Sequence, residues 1–85
     1  MIETGTIVEL SNHKKYIMTE STVEDGKIYY LALEVDYNTE TPTDNSMFFE
    51  QYNNEFLLPI KNEDDIDFLK TIFVNKFLTE VLNEG

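Results

Sequence analysis

The sequence predicts an α+β domain: a mostly antiparallel sheet of about five strands followed by one long C-terminal helix. Three observations predict it. Short alternating runs of β-branched and aromatic residues recur through the first two thirds of the chain, Asp25-Gly26 stands between two of them, and Asn62 opens an acidic segment with helically spaced apolar residues.

Thr6 to Leu10 is the first strand, with Val8 and Leu10 on one face, and the turn residues Ser11 to Lys14 lead into a returning strand, Lys15 to Thr19. Asp25-Gly26 tolerates the positive φ values of a tight hairpin turn and precedes the strongest strand signal, Lys27 to Asp36. There Tyr29, Leu31, Leu33 and Val35 form one apolar face, while Ile28, Tyr30 and Ala32 begin a second before Glu34 and Asp36 turn it polar. A strand apolar on both faces is central. Tyr37 to Ser46 has no period and is expected to be a loop. Met47 to Glu50 and Glu55 to Ile60, around Gln51 to Asn54, make a second hairpin whose last strand is an edge or ends at Pro59, which lacks an amide hydrogen.

Asn62 is the N-cap of a helix over about Glu63 to Leu82, and Glu63, Asp64 and Asp65 complement its dipole. Projected at about 100° per residue, Ile66, Phe68, Leu69, Ile72 and Phe73 cluster on one side, with Val74, Phe77, Leu78, Val81 and Leu82 nearly opposite. One straight helix on one sheet cannot bury both sets. Either the helix breaks near Asn75, or its second half packs against something else.

The order of signals, from Gly5-Thr6-Ile7-Val8-Glu9-Leu10 and Lys15-Tyr16-Ile17-Met18 through Asp25-Gly26-Lys27-Ile28-Tyr29-Tyr30-Leu31, Met47-Phe48-Phe49-Glu50 and Glu55-Phe56-Leu57-Leu58-Pro59-Ile60 to the acidic-capped helix, resembles a known group. It is the short, acidic, uncharacterised family of Gram-positive bacteria and their mobile elements, described as a domain of unknown function. The resemblance implies a sheet followed by a helix and carries no activity or catalytic residue. The Tyr37 to Ser46 segment departs from the compact acidic connection of that family.

With 85 residues the chain makes one small domain, residues 1 to 85, and 41% hydrophobic residues are enough to fold it. No cysteine is present, so disulfides, thiolate zinc sites and thiol nucleophiles are excluded. The first ten residues lack the basic start and apolar run of a signal peptide, and no apolar stretch is long enough to span a bilayer, so a cytoplasmic protein is expected. Seventeen acidic against six basic residues give a net charge of −11, which repels nucleic acid and anionic lipid and attracts basic proteins.

No catalytic site emerges. His13, the single histidine, lies in a turn beside Lys14 and Lys15, and Ser11, Ser21 and Ser46 have no elbow motif around them. Asp36, Asn38 and Glu40 alternate like the first ligands of an EF-hand, but Thr41 replaces the turn glycine and Met47 the bidentate glutamate. Glu63, Asp64, Asp65 and Asp67 are explained by the helix dipole, and Gly5, Gly26 and Gly85 are too far apart for a phosphate loop. No enzyme activity, cofactor or metal is expected. The unaccounted residues are Val74, Phe77, Leu78, Val81 and Leu82 with the outward Ile28 and Tyr30, an apolar set expected to meet a protein partner or a second copy unless a kinked helix buries it, with Glu80 and Glu84 on its rim. The leading expectation is a non-enzymatic protein-interaction domain; the alternative is an inhibitor that imitates nucleic acid to occupy a DNA- or RNA-binding enzyme.

Overall fold

The computed structural model describes residues 1–53 and 56–84, with side-chain surroundings as far as residue 81. Five antiparallel strands, β1 (Ile7–Glu9), β2 (Lys15–Glu24), β3 (Lys27–Val35), β4 (Pro42–Tyr52) and β5 (Phe56–Pro59), form a curled sheet in the order β1-β2-β3-β4-β5. The helix α1 (Glu63–Glu84) follows. The expected α+β class and strand count hold, β3 is the central strand, and β5, with Pro59, is an edge.

Local chemistry sets the turns. Asp25 and Gly26, with φ of 52° and 76°, are the two central residues of the β2–β3 hairpin, both left-handed as a type I′ turn demands. Between β3 and β4 the carboxylate of Asp36 accepts from the amides of Asn38 and Thr39 and from the Thr39 hydroxyl, at 3.0, 3.0 and 3.2 Å. Backbone bonds from Glu40 N to Asp36 O and from Asp36 N to Thr41 O close that turn. These hydrogen bonds to the charged form hold the Asp36 carboxyl below its ordinary 3.8, the Thr39 amide contributing most.

The loop expected over Tyr37 to Ser46 is therefore shorter. Pro42 to Ser46 belong to β4, with Pro42 at the first position of the strand, where its missing donor is tolerated. Strand β2 also runs five residues beyond the expected Thr19, because a bulge between Met18 and Glu20 shifts its alternation. Thr19 turns its hydroxyl to the Leu31 carbonyl there, 2.9 Å away. Asn54 and Glu55, expected in the second hairpin turn and at the start of β5, lie outside the described residues.

Both faces of the sheet carry a core. On the inner face Tyr16, Met18, Tyr30, Ala32 and Phe49 are buried together, with Tyr16 edge-on to Phe49 at 5.1 Å between ring centroids. Among the described residues no helix lies there; the curl of the sheet and the N-terminal residues cover it. Ile2 donates its amide to the Tyr30 hydroxyl at 2.8 Å, and that hydroxyl in turn donates to the Gln51 side-chain carbonyl. On the outer face Leu69 and Phe73 of α1 pack on Phe48, with Tyr29, Leu31, Ile60 and Ile66 around them and the Phe48 and Phe73 rings stacked at 5.8 Å.

Candidate interaction surface

Helix α1 is one uninterrupted element, so it does not break at Asn75. Its N-terminus is capped as the sequence requires: Asn62 Oδ1 accepts from the amides of Asp64 and Asp65 at 2.9 and 3.2 Å. Over the first three turns Leu69 and Phe73 are buried, with Ile66 half-buried on the same stripe. Ile72 is half-buried, and Phe68, expected on the same side, is 55% exposed. One residue is a turn of roughly 100°, which carries the Phe68 ring away from the sheet when Leu69 points into it.

Beyond Phe73 the helix loses its support. Lys76 is half-buried and donates to the Ser21 carbonyl of β2 at 2.6 Å, the last tether observed between helix and sheet. Strand β1 pairs with β2 only from Lys15 to Ile17, so at Ser21 the sheet has reached its margin. From Phe77 to Val81 every side chain is exposed. Phe77 continues the stripe of Ile66 and Phe73 on the helical wheel, yet it is 62% exposed, with none of the described strands covering it.

Exposed Val74, Phe77, Leu78 and Val81 thus form one apolar strip of two turns. It adjoins an open groove of about 390 Å³ between the helix and the outer face of the sheet, walled by Leu31, Leu33, Phe48, Phe73 and Val74 with Lys70 above. Around this surface stand Glu20 on β2, which pairs with Leu31 of the groove, and Asp67 and Glu80 on the helix, placed by the strand register and helical spacing. The last turn of the helix has no basic residue. No protein-family model, curated protein or solved structure matches the chain. The functional reading therefore rests on the geometry of this chain alone.

Two residues expected on this surface belong elsewhere. Tyr30 is 0% exposed and sits at the centre of the inner core, and Ile28 is half-buried against the same cluster. They face away from the helix, as expected, but the curl of the sheet encloses that face. Leu82 and Glu84 have side chains outside the described residues.

The candidate chemical groups stay dispersed. His13, with φ of 64°, is exposed in the β1–β2 turn; Ser11 shares that turn, whereas Ser21 lies near the far end of β2 and Ser46 on β4. Among the described residues no three His, Asp or Glu side chains converge closely enough to hold a metal ion. Asp36 spends its carboxylate on its own turn, as described, and Glu63, Asp64 and Asp65 stand exposed in the first helical turn. The Tyr29 hydroxyl is pushed above its ordinary 10.0, first by burial and then by the Glu50 carboxylate, with Asp65 and Asp25 adding to this and Lys27 opposing it. A second groove, about 500 Å³, opens on the inner face between β5 and the β1–β2 turn, floored by Tyr16, Met47, Phe49 and Leu57. No helix of the described residues is long and apolar enough to cross a membrane.

Proposed function

We propose that this chain is a small non-enzymatic protein-interaction domain whose docking surface is the outer strip of α1 together with the groove beside it. One observation carries the proposal: Val74, Phe77, Leu78 and Val81 are all 46% exposed or more in a strip continuous with an apolar groove. A small domain gains nothing by exposing such a strip unless something covers it, since contiguous apolar area of a few hundred Å² marks interfaces. Buried Leu69 and Phe73, with half-buried Ile66 beside them, already anchor the helix, so the exposed set is spare to the fold. The groove supplies a preformed recess for an anchor side chain, the arrangement in which interface energy concentrates.

A photo-crosslinking residue placed at Leu78 in the native cell tests this. A discrete adduct at position 78, with none from the same residue at Asn38 in the exposed β3–β4 turn, is the expected outcome. Equal labelling from both sites, or none, would remove the proposal. The nucleic-acid-mimic reading is favoured by the net charge of −11 and requires binding that collapses as salt rises. The apolar reading requires the adduct at position 78 to survive a rise to about 0.5 M salt, where charge attraction is largely screened.

A further inference from the structure

We infer that the occupant of this surface is a cationic amphipathic helix of another protein, and not a second copy of this chain; the inference rests on the docking reading above.

The first argument is the charge around the apolar strip. Glu20, Asp67 and Glu80 stand at its margin, against Lys70 and Lys76, and Lys76 is already committed to the Ser21 carbonyl. The second is the end of the helix. A helix C-terminus carries about half a negative charge, normally offset by Lys or Arg in the last turn. Here the last turn has no basic residue, and Glu80 adds to the negative end. An incoming cation supplies what the helix lacks.

The same charges disfavour self-association. Apposing two copies brings together two chains of −11 each across rims that are themselves acidic. Like-charge juxtaposition at an interface costs affinity and slows encounter. An anionic membrane surface meets the same repulsion.

The shape selects a helix. The strip runs along two turns of α1, and the groove adjoins it at Val74 between helix and sheet, so a partner helix laid beside α1 reaches both with residues at i, i+3, i+4 and i+7. Its apolar residues enter the groove walled by Leu31, Leu33 and Phe48, and its Lys or Arg residues meet the acidic margin.

The test uses the full chain and a fluorescent synthetic peptide of about 18 residues, long enough for five turns, with Leu at the helical spacing above and Lys elsewhere. A scrambled peptide of the same composition and a peptide with Glu for Lys serve as controls. By anisotropy at about 0.15 M salt the ordered Lys peptide is expected to bind about tenfold tighter than either control. The double variant Phe77→Ser with Leu78→Ser, which leaves the charge unchanged, should abolish that margin, and Glu80→Lys should narrow it several-fold. Equal binding of the ordered and scrambled Lys peptides would reduce the attraction to bulk charge and overturn the inference, as would a margin that survives the double variant.

Sedimentation of the chain over about two decades of concentration separates the two levels of the reading. A dimer that the double variant dissolves and the Lys peptide fails to displace keeps the docking surface and removes the cationic occupant. A monomer at every concentration that also ignores the peptide removes both.

Discussion

Leu69→Ala and Leu78→Ala make the same truncation on two sides of one helix, and the structure assigns them different costs. Leu69 is 1% exposed between the helix and Phe48. Removing three buried carbons at about 0.8 kcal/mol each gives roughly 2.4 kcal/mol, and the cavity left behind brings the loss to about 3–4 kcal/mol. Leu78 is 50% exposed, so the transfer loss is about half, near 1.2 kcal/mol, and the better helix propensity of alanine returns a few tenths. The expected cost is about 1 kcal/mol or less. A domain of this length has a stability of about 4–13 kcal/mol, so Leu69→Ala takes a large share of it and Leu78→Ala does not. Urea unfolding followed by circular dichroism reads both, with unchanged slopes confirming that only stability moved. A Leu78→Ala loss as large as that of Leu69→Ala, at dilute and at tenfold higher protein concentration alike, would show that Leu78 is ordinary core, and the case for a spare helical face would end there. A Leu78 loss that grows with concentration would point to a second copy on the strip.

Tyr30→Phe removes the acceptor of the Ile2 amide and should cost about 1–3 kcal/mol in thermal unfolding, although it leaves the ring in place; a neutral effect would show that the N-terminal residues do not close the inner core. Asn62→Ala takes away the acceptor for the Asp64 and Asp65 amides, with an expected cost of about 1 kcal/mol, and asparagine-to-serine at the same position should recover most of it. Lys76→Met cuts the tether to Ser21 and should speed hydrogen exchange of the amides after Asn75 more than those before Phe73; uniform exchange along the helix would contradict the tether. The Asp36 carboxyl, depressed in the folded state, stabilises the β3–β4 turn above the ordinary carboxylate range, and that contribution disappears as pH falls through its lowered value. NMR titration should give a midpoint below 3.8 for Asp36, and Asp36→Ala should matter at pH 7 but not in strong acid; a midpoint at or above 3.8 would rule out the turn bonds as its cause.

Much of this architecture was legible in local chemistry. Asp25-Gly26, the Asn62 cap and the alternation of β3 each act through their immediate neighbours, so their consequences could be written from the sequence. What escaped depends on partners distant in the chain. The bulge at Thr19 shifts the phase of β2, so Tyr16 and Met18 before it share the inner face with residues of opposite parity after it, and the alternation does not carry past Thr19. Pro42 to Ser46 are polar and gain strand structure only from pairing with β3.

Ile28 and Tyr30 read as outward in the sequence, because a face turned from the helix has no visible cover there, yet both lie against the inner core. Alternation shows that a strand has two apolar faces, but the way the sheet bends decides which is enclosed. On the helix the sequence showed two apolar sets and could not locate the sheet margin, which makes Phe77 exposed despite its alignment with Phe73.

The strand order has a further consequence. Every ladder in the sheet joins chain neighbours, so each strand can add to one already in place without waiting for a distant segment. Such local pairings close small loops and favour rapid assembly. The helix packs on this platform through Leu69 and Phe73, and past that contact every side chain from Phe77 to Val81 is exposed. Substitutions there are expected to leave the refolding rate unchanged, which stopped-flow refolding of Leu78→Ala beside Leu69→Ala would read directly.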